Sequence, residues 1–216
     1  MRDQRKYFPV NWIDGMKINK NHFIQQDNAS ADALHDFGSL HLSPIRYGIL
    51  PPSAAGKIHS MCSVSLDARN TLAVKIHSCQ AITSGGIRIS CPNASNAGND
   101  KNKSLESSFG FSTAKTESVS WIFLVVNPFE KQAAGSPDVA ENPPRYPFLL
   151  PTCTIEIIHE SEYRQYVNHP YAIPIGRVAI NGNDIKVDED YIPPCLTLES
   201  HPELSVSSRQ GHPFSY

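Results

Sequence analysis

The feature that most constrains the fold is a series of short segments after Pro44 in which apolar and polar residues alternate. Leu72, Val74 and Ile76, for example, are separated by Ala or Lys. Because successive side chains of a β-strand leave opposite faces of the sheet, this alternation predicts half-buried strands. The alternating segments are 58–66, 71–77, 87–91, 153–157, 178–180 and 185–187. Short strands separated by Gly, Pro and Asn turns predict an all-β fold of the sandwich or barrel type.

Two segments also predict positions within a sheet. Residues 121–126 read WIFLVV and are apolar on both faces, which is typical of a central strand. Residues 178–180 and 185–187 flank an Asn-Gly pair, Asn181-Gly182, whose residues tolerate the positive φ of a tight turn. We therefore expect a β-hairpin there.

The remaining organisation is an N-terminal arm, one helix and a tail. The helix is predicted over residues 19–37, with Asn19 or Asn21 as the N-cap and Gly38 as the stop. Its weak apolar face consists of Phe23, Ala31 and Leu34. We divide the chain into an arm and helix packed on the sandwich (1–40), the sandwich itself (41–198) and a disordered tail (199–216). The polar segments 92–117 and 129–147 are predicted to be mobile surface loops.

Composition excludes several classes of protein. The 216 residues fit one domain or two small ones, and 19 basic against 21 acidic residues give a net charge of −2. A nucleic-acid partner held by bulk positive charge is therefore excluded, although a local basic patch stays open. Five cysteines without a C-x-x-C pair, and no secretion signal, predict buried reduced thiols rather than a disulfide framework.

Sequence motifs for catalysis are absent, although nine histidines invite the search. Metal ligation by His59, Cys62, His77 and Cys79 is disfavoured, because His59 and Cys62 differ by an odd number along a strand and face opposite sides. The acidic run 188–190 is interpreted as a solvated turn, with calcium binding or acid–base chemistry left open. We predict that the chain is not an enzyme and has no catalytic residue, metal or cofactor, with an enzyme built on the His/Cys set as an alternative hypothesis.

The positive signal lies between the arm and the helix. Large apolar side chains stand beside polar amides around the start of the helix. In one interpretation Trp12 pins the arm into the core and Gly15 makes a turn. In the other, the segment is a docking surface for a protein, where Gln25 and Gln26 make wet, hydrogen-bonded contacts. The candidate protein-binding residues are Trp12, Gly15, Met16, His22, Phe23, Gln25 and Gln26.

These same residues carry a family resemblance. Segment 10–26, VNWIDGMKINKNHFIQQ, is similar to V-x-W-x-x-G-M-x-L-x-P-x-H-F-Q-Q-Q, with which the TssK family of type VI secretion baseplate proteins opens. Lys20 stands where the family usually has Pro, and Ile24 where it often has Gln. Further matches in the family's order are YG at 47–48, SGGIRISCP at 84–92, IPIGRV at 173–178 and DYIPPCL at 190–196. The structural motif residues are Ile173, Pro174, Arg177, Tyr191, Pro193 and Pro194.

The resemblance implies a structural adaptor of the type VI secretion baseplate, in the cytoplasm at the inner membrane's cytoplasmic face. The implied fold is a β-sandwich resembling the shoulder domain of siphophage receptor-binding proteins. The implied partners are the wedge proteins TssF and TssG and other copies of itself in a trimer, with no nucleic acid.

Family members are about twice as long, and their C-terminal half contacts the membrane complex. We therefore expect this chain to be a truncated or unusual form that lacks that contact and is a monomer or weak trimer. The alternative is a carbohydrate- or receptor-binding β-sandwich, which aromatic residues exposed on a sandwich face would favour.

Overall fold

The computed structural model describes residues 6–42, 45–51, 62–66, 71–91, 105–110, 118–181 and 184–209. The strands are β1 (Gly48–Ile49), β2 (Cys62–Leu66), β3 (Thr71–Ile76), β4 (Cys79–Ile82), β5 (Arg88–Cys91), β6 (Leu105–Gly110), β7 (Ser118–Ala134), β8 (Phe148–His159), β9 (Ala172–Asn181) and β10 (Asp184–Val187). The helices are α1 (Lys20–His41), α2 (Tyr163–Tyr166) and α3 (Pro202–Arg209), with 3₁₀ turns at Glu160–Glu162 and Leu198–Ser200. The predicted all-β class is confirmed.

The largest sheet has the antiparallel order β10-β9-β7-β8. The predicted central strand 121–126 lies in β7, which pairs with β8 on one side and β9 on the other. Ile122, Phe123 and Leu124 are fully buried, because this sheet is covered on both faces. The predicted hairpin is confirmed by the pairing of Ile185 with Ile180 and of Val187 with Val178, and its turn residues 182–183 lie outside the described residues.

Two smaller sheets, β2-β3-β6 and β1-β4-β5, cover one face of the large sheet. The alternation of β3 is confirmed, since Leu72, Val74 and Ile76 are fully buried. The core between the sheets combines residues of β1, β3, β4, β5, β7, β8 and β9 in one cluster. The opposite face of the large sheet carries a second cluster around Phe123, Ile158 and Ala172, against which Tyr163 and Tyr166 of α2 pack.

The two long loops were predicted over too wide a range. Residues up to Ala134 extend β7 and stay paired with β8, and β6 lies inside the other predicted loop and pairs with β3. Residues 135–147 do form an exposed turn region, with an isolated bridge between Asp138 and Arg145. The rest of the predicted loop 92–117 lies outside the described residues. Ladder pairing therefore orders polar segments that have few apolar residues of their own.

The start of α1 agrees with the prediction, but its end and its apolar face do not. The Asn19 side chain accepts a hydrogen bond from Asn21 N at 2.9 Å, and His22 Nδ1 accepts one from Asn19 N at 3.2 Å. The helix continues to His41, because Gly38 keeps a negative φ and lacks the left-handed conformation that ends many helices.

The predicted apolar face of α1 was wrong in direction. Phe23 and Leu34 are exposed, whereas Asn28, Ala29 and Asp32 form the buried side. The tail prediction for 199–216 was also wrong for its first part, because residues 198–209 form a 3₁₀ turn and α3 with Ser200 buried. Residues 210–216 lie outside the described range.

In the part of the chain that the structure describes, no helix combines the length and the hydropathy that crossing a membrane requires.

Candidate functional site

The arm preceding α1 is held by side chains of the helix. Asp32 is buried, and its Oδ2 accepts hydrogen bonds from Lys6 N at 2.8 Å and Tyr7 N at 2.9 Å. Gln26 Oε1 accepts one from Val10 N at 3.1 Å, and Gln25 Nε2 donates to Phe8 O at 3.2 Å. The two amides that we expected to bond to a partner are thus engaged within the chain.

Trp12 does not pin the arm into the core, because about half of its surface is exposed. Its ring meets His22 edge-on at a centroid distance of 6.0 Å and lies 6.2 Å from the Phe23 ring. Gly15 adopts φ +78° in a turn where Met16 N donates to Ile13 O at 3.3 Å. A Cβ at Gly15 would meet nothing within 4 Å, so the backbone angle rather than space favours glycine there.

The arm and α1 together present an apolar surface outward, which we call the outer apolar surface. Its members are Phe8, Trp12, Ile13, Ile18, Phe23, Ile24, Leu34, Phe37 and Leu40, each between 40% and 70% exposed. Of these, the site prediction contained Trp12 and Phe23 but missed Leu34, Phe37 and Leu40. Their spacing of three residues was available in the sequence, but an apolar face is ordinarily assigned to the core.

A cleft of about 670 Å³ lies between the arm, α1 and the outer face of the large sheet. Its walls include Lys6, Asp32, His35, Asp36, Phe129, Glu130, Glu156, Tyr166, His169 and Tyr171. The Tyr166 hydroxyl donates to Glu156, and burial followed by this hydrogen bond raises the pKa of Tyr166 above its ordinary value. His35 Nε2 is buried, and no hydrogen-bond partner within the described part of the chain reaches it.

The histidine and cysteine residues considered for a metal site are not brought together. His59 lies outside the described residues, and the His77 ring shares a 2.9 Å hydrogen bond with Ser63 Oγ at the surface. Cys79 lies in the core, opposite Cys91 in the β4–β5 pair. Among the described residues, no group of three or more His, Cys, Asp or Glu side chains is placed to hold a metal ion.

The thiols are chemically quiet, as expected of buried cysteines. All five cysteines are free; Cys79 and Cys91 are buried and the other three are half-buried. Burial raises the pKa of Cys79 to about 12 and that of Cys153 to about 11. Since the thiolate is the nucleophile and the metal ligand, these groups are poorly suited to either role near neutral pH.

The motif residues near the C-terminus belong to the architecture. Ile173, Pro174 and Pro193 are buried. Ile49 N donates to Pro194 O at 2.8 Å, which joins the segments 47–49 and 190–196. Gly48 has φ +139°, and a Cβ there would lie 2.2 Å from Pro194 O, so glycine is required for this close approach.

A second group of motif residues surrounds Trp121. Arg177 places its guanidinium 5.5 Å from the Trp121 ring centroid and donates to Asp188 at 3.2 Å. The Tyr191 ring meets Trp121 edge-on at 5.3 Å, and Tyr163 stacks on it at 4.1 Å. Burial is the main cause that raises the pKa of Tyr191. The acidic run 188–190 therefore begins with an ion pair that fixes the end of a hairpin, while Glu189 and Asp190 are exposed.

Comparisons with known proteins place the fold. No protein-family model and no curated protein matches the chain. The crystal structure of TssK is similar with a TM-score of 0.51 and 16% identity, over 91% of this chain and 44% of that one. The cryo-electron microscopy structure of a type VI secretion TssK-TssF-TssG baseplate subcomplex is similar with a TM-score of 0.53 and 18% identity, over 95% and 68%. This chain thus spans less than half of the first relative, and at these identities the likeness is one of fold, in agreement with the resemblance read from the sequence.

Proposed function

We propose that this chain is a non-enzymatic adaptor module of a type VI secretion baseplate, and that it docks onto the wedge proteins TssF and TssG. The observation that carries the proposal is the outer apolar surface, which faces away from the chain's own core. The fold shared with TssK supports it, as does the name of the similar subcomplex, which contains TssK together with TssF and TssG.

The outer apolar surface has the properties of a protein-binding site. Contiguous apolar residues exposed on this scale commonly mark a contact with another macromolecule. Phe23, Leu34 and Phe37 recur at helical spacing along α1, which is the pattern by which a helix lies in a partner's groove. The capped N-terminus of α1 and the Trp12–His22 contact fix the aromatic residues before binding, which lowers the entropic cost of docking.

The remaining parts of the proposal follow from the same resemblance. The chain acts in the cytoplasm, at the cytoplasmic face of the inner membrane, and associates with further copies of itself. Contact with the membrane complex is assigned to the C-terminal half of longer relatives. Binding needs no cofactor, because apolar contact and hydrogen bonds suffice for a surface of this kind.

The decisive experiment measures binding of this chain to purified TssF–TssG from the same source by calorimetry. Trp12→Ala and Phe23→Ala are each expected to weaken binding by about 30-fold, which is about 2 kcal/mol for a central aromatic residue. Val139→Ala is the matched control, since Val139 is exposed but lies in the turn region 135–147. Unchanged affinity of the Trp12→Ala/Phe23→Ala double variant would exclude this surface as the docking site.

The cleft favours a second candidate function, carbohydrate or receptor binding. Aromatic rings of Phe129, Tyr166 and Tyr171 line it together with carboxylates such as Glu130, and its volume suits a small ligand. A glycan array with the full chain tests this candidate, with Tyr171→Ala as the variant expected to lose any signal. An array without signal would remove it.

A further inference from the structure

The seat of the arm is built by side chains that belong to other elements. Asp32 and Gln26 of α1 bind the arm's backbone N–H groups, and Phe129 of β7 contacts the Tyr7 ring at a centroid distance of 4.7 Å. Phe8, the next residue along the arm, points outward and is exposed. The seat therefore binds an extended segment in the way that a peptide groove does, with backbone groups bonded and alternate side chains buried.

The connection between the arm and α1 is exposed almost throughout. Of residues 11–19, only Met16 is even half-buried, and the turn at Gly15 has open space around it. Nine extended residues span up to about 30 Å, which is enough for the arm to leave its own seat and reach another. Within the described residues, the arm adds no strand to a β-ladder, so its departure disrupts none of the sheets.

The seat also fits this arm electrostatically. It opens into the cleft, whose walls carry the carboxylates of Asp36, Glu130 and Glu156. Lys6 is the arm residue at this wall, and its Nζ lies 5.7 Å from the Phe129 ring centroid, within the range of a cation–π contact. The segment that satisfies both the backbone bonds and the charge of the seat is thus residues 6–10 of this chain.

We propose that the arm exchanges between copies, so that residues 6–10 of one copy occupy the seat of a second copy. The exchanged contacts are identical to those within one chain, which makes exchange a low-cost route to association. The exchange is favoured when copies are held close together, because the effective concentration of the second seat then approaches that of the chain's own. The inference rests on the arm and its seat alone and does not depend on a baseplate role.

The test uses two full-length variants that fail in complementary ways. Tyr7→Pro removes one N–H donor and the buried ring from the arm while leaving the seat intact. Asp32→Ala breaks the seat and leaves the arm intact. A mixture of the two, carrying different affinity tags, is expected to give at least about 10-fold more mixed complex than either variant gives alone.

The control is the Tyr7→Pro/Asp32→Ala double variant mixed with either single variant. The pair Tyr7→Pro/Asp32→Ala with Asp32→Ala offers no working seat and should give no mixed complex. The pair with Tyr7→Pro offers no working arm and should give none either.

A second measurement keeps the proposal falsifiable if association is too weak to isolate. In the Asp32→Ala variant, amide hydrogen exchange at residues 6 and 7 should slow when Tyr7→Pro is added in excess. Unchanged exchange together with no mixed complex would overturn the proposal. Equal association in the double-variant controls would also overturn it, because association would then use another surface.

Discussion

The sandwich and the layer formed by the arm and α1 are built by opposite rules. In the sandwich, apolar residues of seven strands meet in one cluster and polar residues face outward. In the arm–helix layer, Asp32 and Asn28 face the protein and Phe23, Leu34 and Phe37 face outward. The sandwich is thus organised for its own stability, whereas the layer on top of it is organised for what it presents. The same type of residue therefore has different importance in the two regions.

The largest expected effect comes from making one substitution in both regions. Leu124 is fully buried in β7 and Leu34 is 70% exposed on α1. Leu124→Ala should lower the free energy of unfolding by about 3 kcal/mol, because it removes buried methyl groups and leaves a cavity. Leu34→Ala should change it by less than about 0.5 kcal/mol. Urea titrations of both variants measure the difference, and a similar loss in both would break the comparison.

The next effect tests the closure of the sandwich at Gly48. Gly48→Ala should cost about 2 kcal/mol, because it strains a positive φ and forces a Cβ against Pro194 O. Gly110→Ala is the matched control, since a Cβ at Gly110 would meet nothing within 4 Å. Thermal unfolding followed by circular dichroism gives both values. A Gly48→Ala variant as stable as Gly110→Ala would show that segments 47–49 and 190–196 are not tightly joined.

A smaller effect is expected where polar contacts hold the arm. Asp32→Ala should cost about 1–2 kcal/mol, because two backbone N–H groups lose a charged acceptor, and it should expose the arm to limited proteolysis. Asp27→Ala serves as the control, since Asp27 is exposed and forms only a 3.8 Å ion pair with Lys131. If proteolysis of the arm is equally fast in wild type and in Asp32→Ala, side-chain bonding does not hold the arm.

The smallest effect at neutral pH concerns the thiols, which are protonated there in both folded and unfolded chains. Burial raises the pKa of Cys79 to about 12, whereas an unfolded thiol ionises near pH 8.5. Above that pH the unfolded chain binds fewer protons than the folded one, so stability falls as pH rises toward 12.

Alkylation of Cys79 measured by mass spectrometry at pH 8.5 should be slow in the native protein and fast in urea. Native alkylation at the unfolded rate would show that Cys79 is not sealed in the core. Cys79→Ala removes the reacting group and identifies its peptide in the same experiment.

The sequence predicted the sandwich well because its alternation is a direct consequence of burial. The positions of β3, β5, the central part of β7 and the β9–β10 hairpin all follow from period two and turn residues. It missed β4 and β6, because Cys79–Ile82 is short and Leu105–Gly110 is mostly polar, and both are ordered by pairing with neighbours. Pairing between distant segments leaves no local signal.

The candidate site was located but its interior was misread. The residues around Trp12 and Phe23 lie on the outer apolar surface, in agreement with the geometry that docking would need. The sequence did not show that Gln25 and Gln26 bind the arm, because both partners are polar and their meeting depends on how the chain turns at Gly15. Nor did it show that Asp32 is buried, since a buried carboxylate is exceptional unless its partners are known.

The contact between segments 47–49 and 190–196 has a mechanical consequence. Ile49 N bonds to Pro194 O and Leu196 N bonds to Ile49 O, in a parallel bridge between the first strand and the last motif of the sandwich. If tension is applied to the chain ahead of Gly48 and beyond Leu196, the parallel arrangement loads both hydrogen bonds in shear at the same moment. An antiparallel pairing would instead let them open one after the other. The sandwich is therefore closed by a clasp that resists pulling from its two ends while its sheets carry none of that load first.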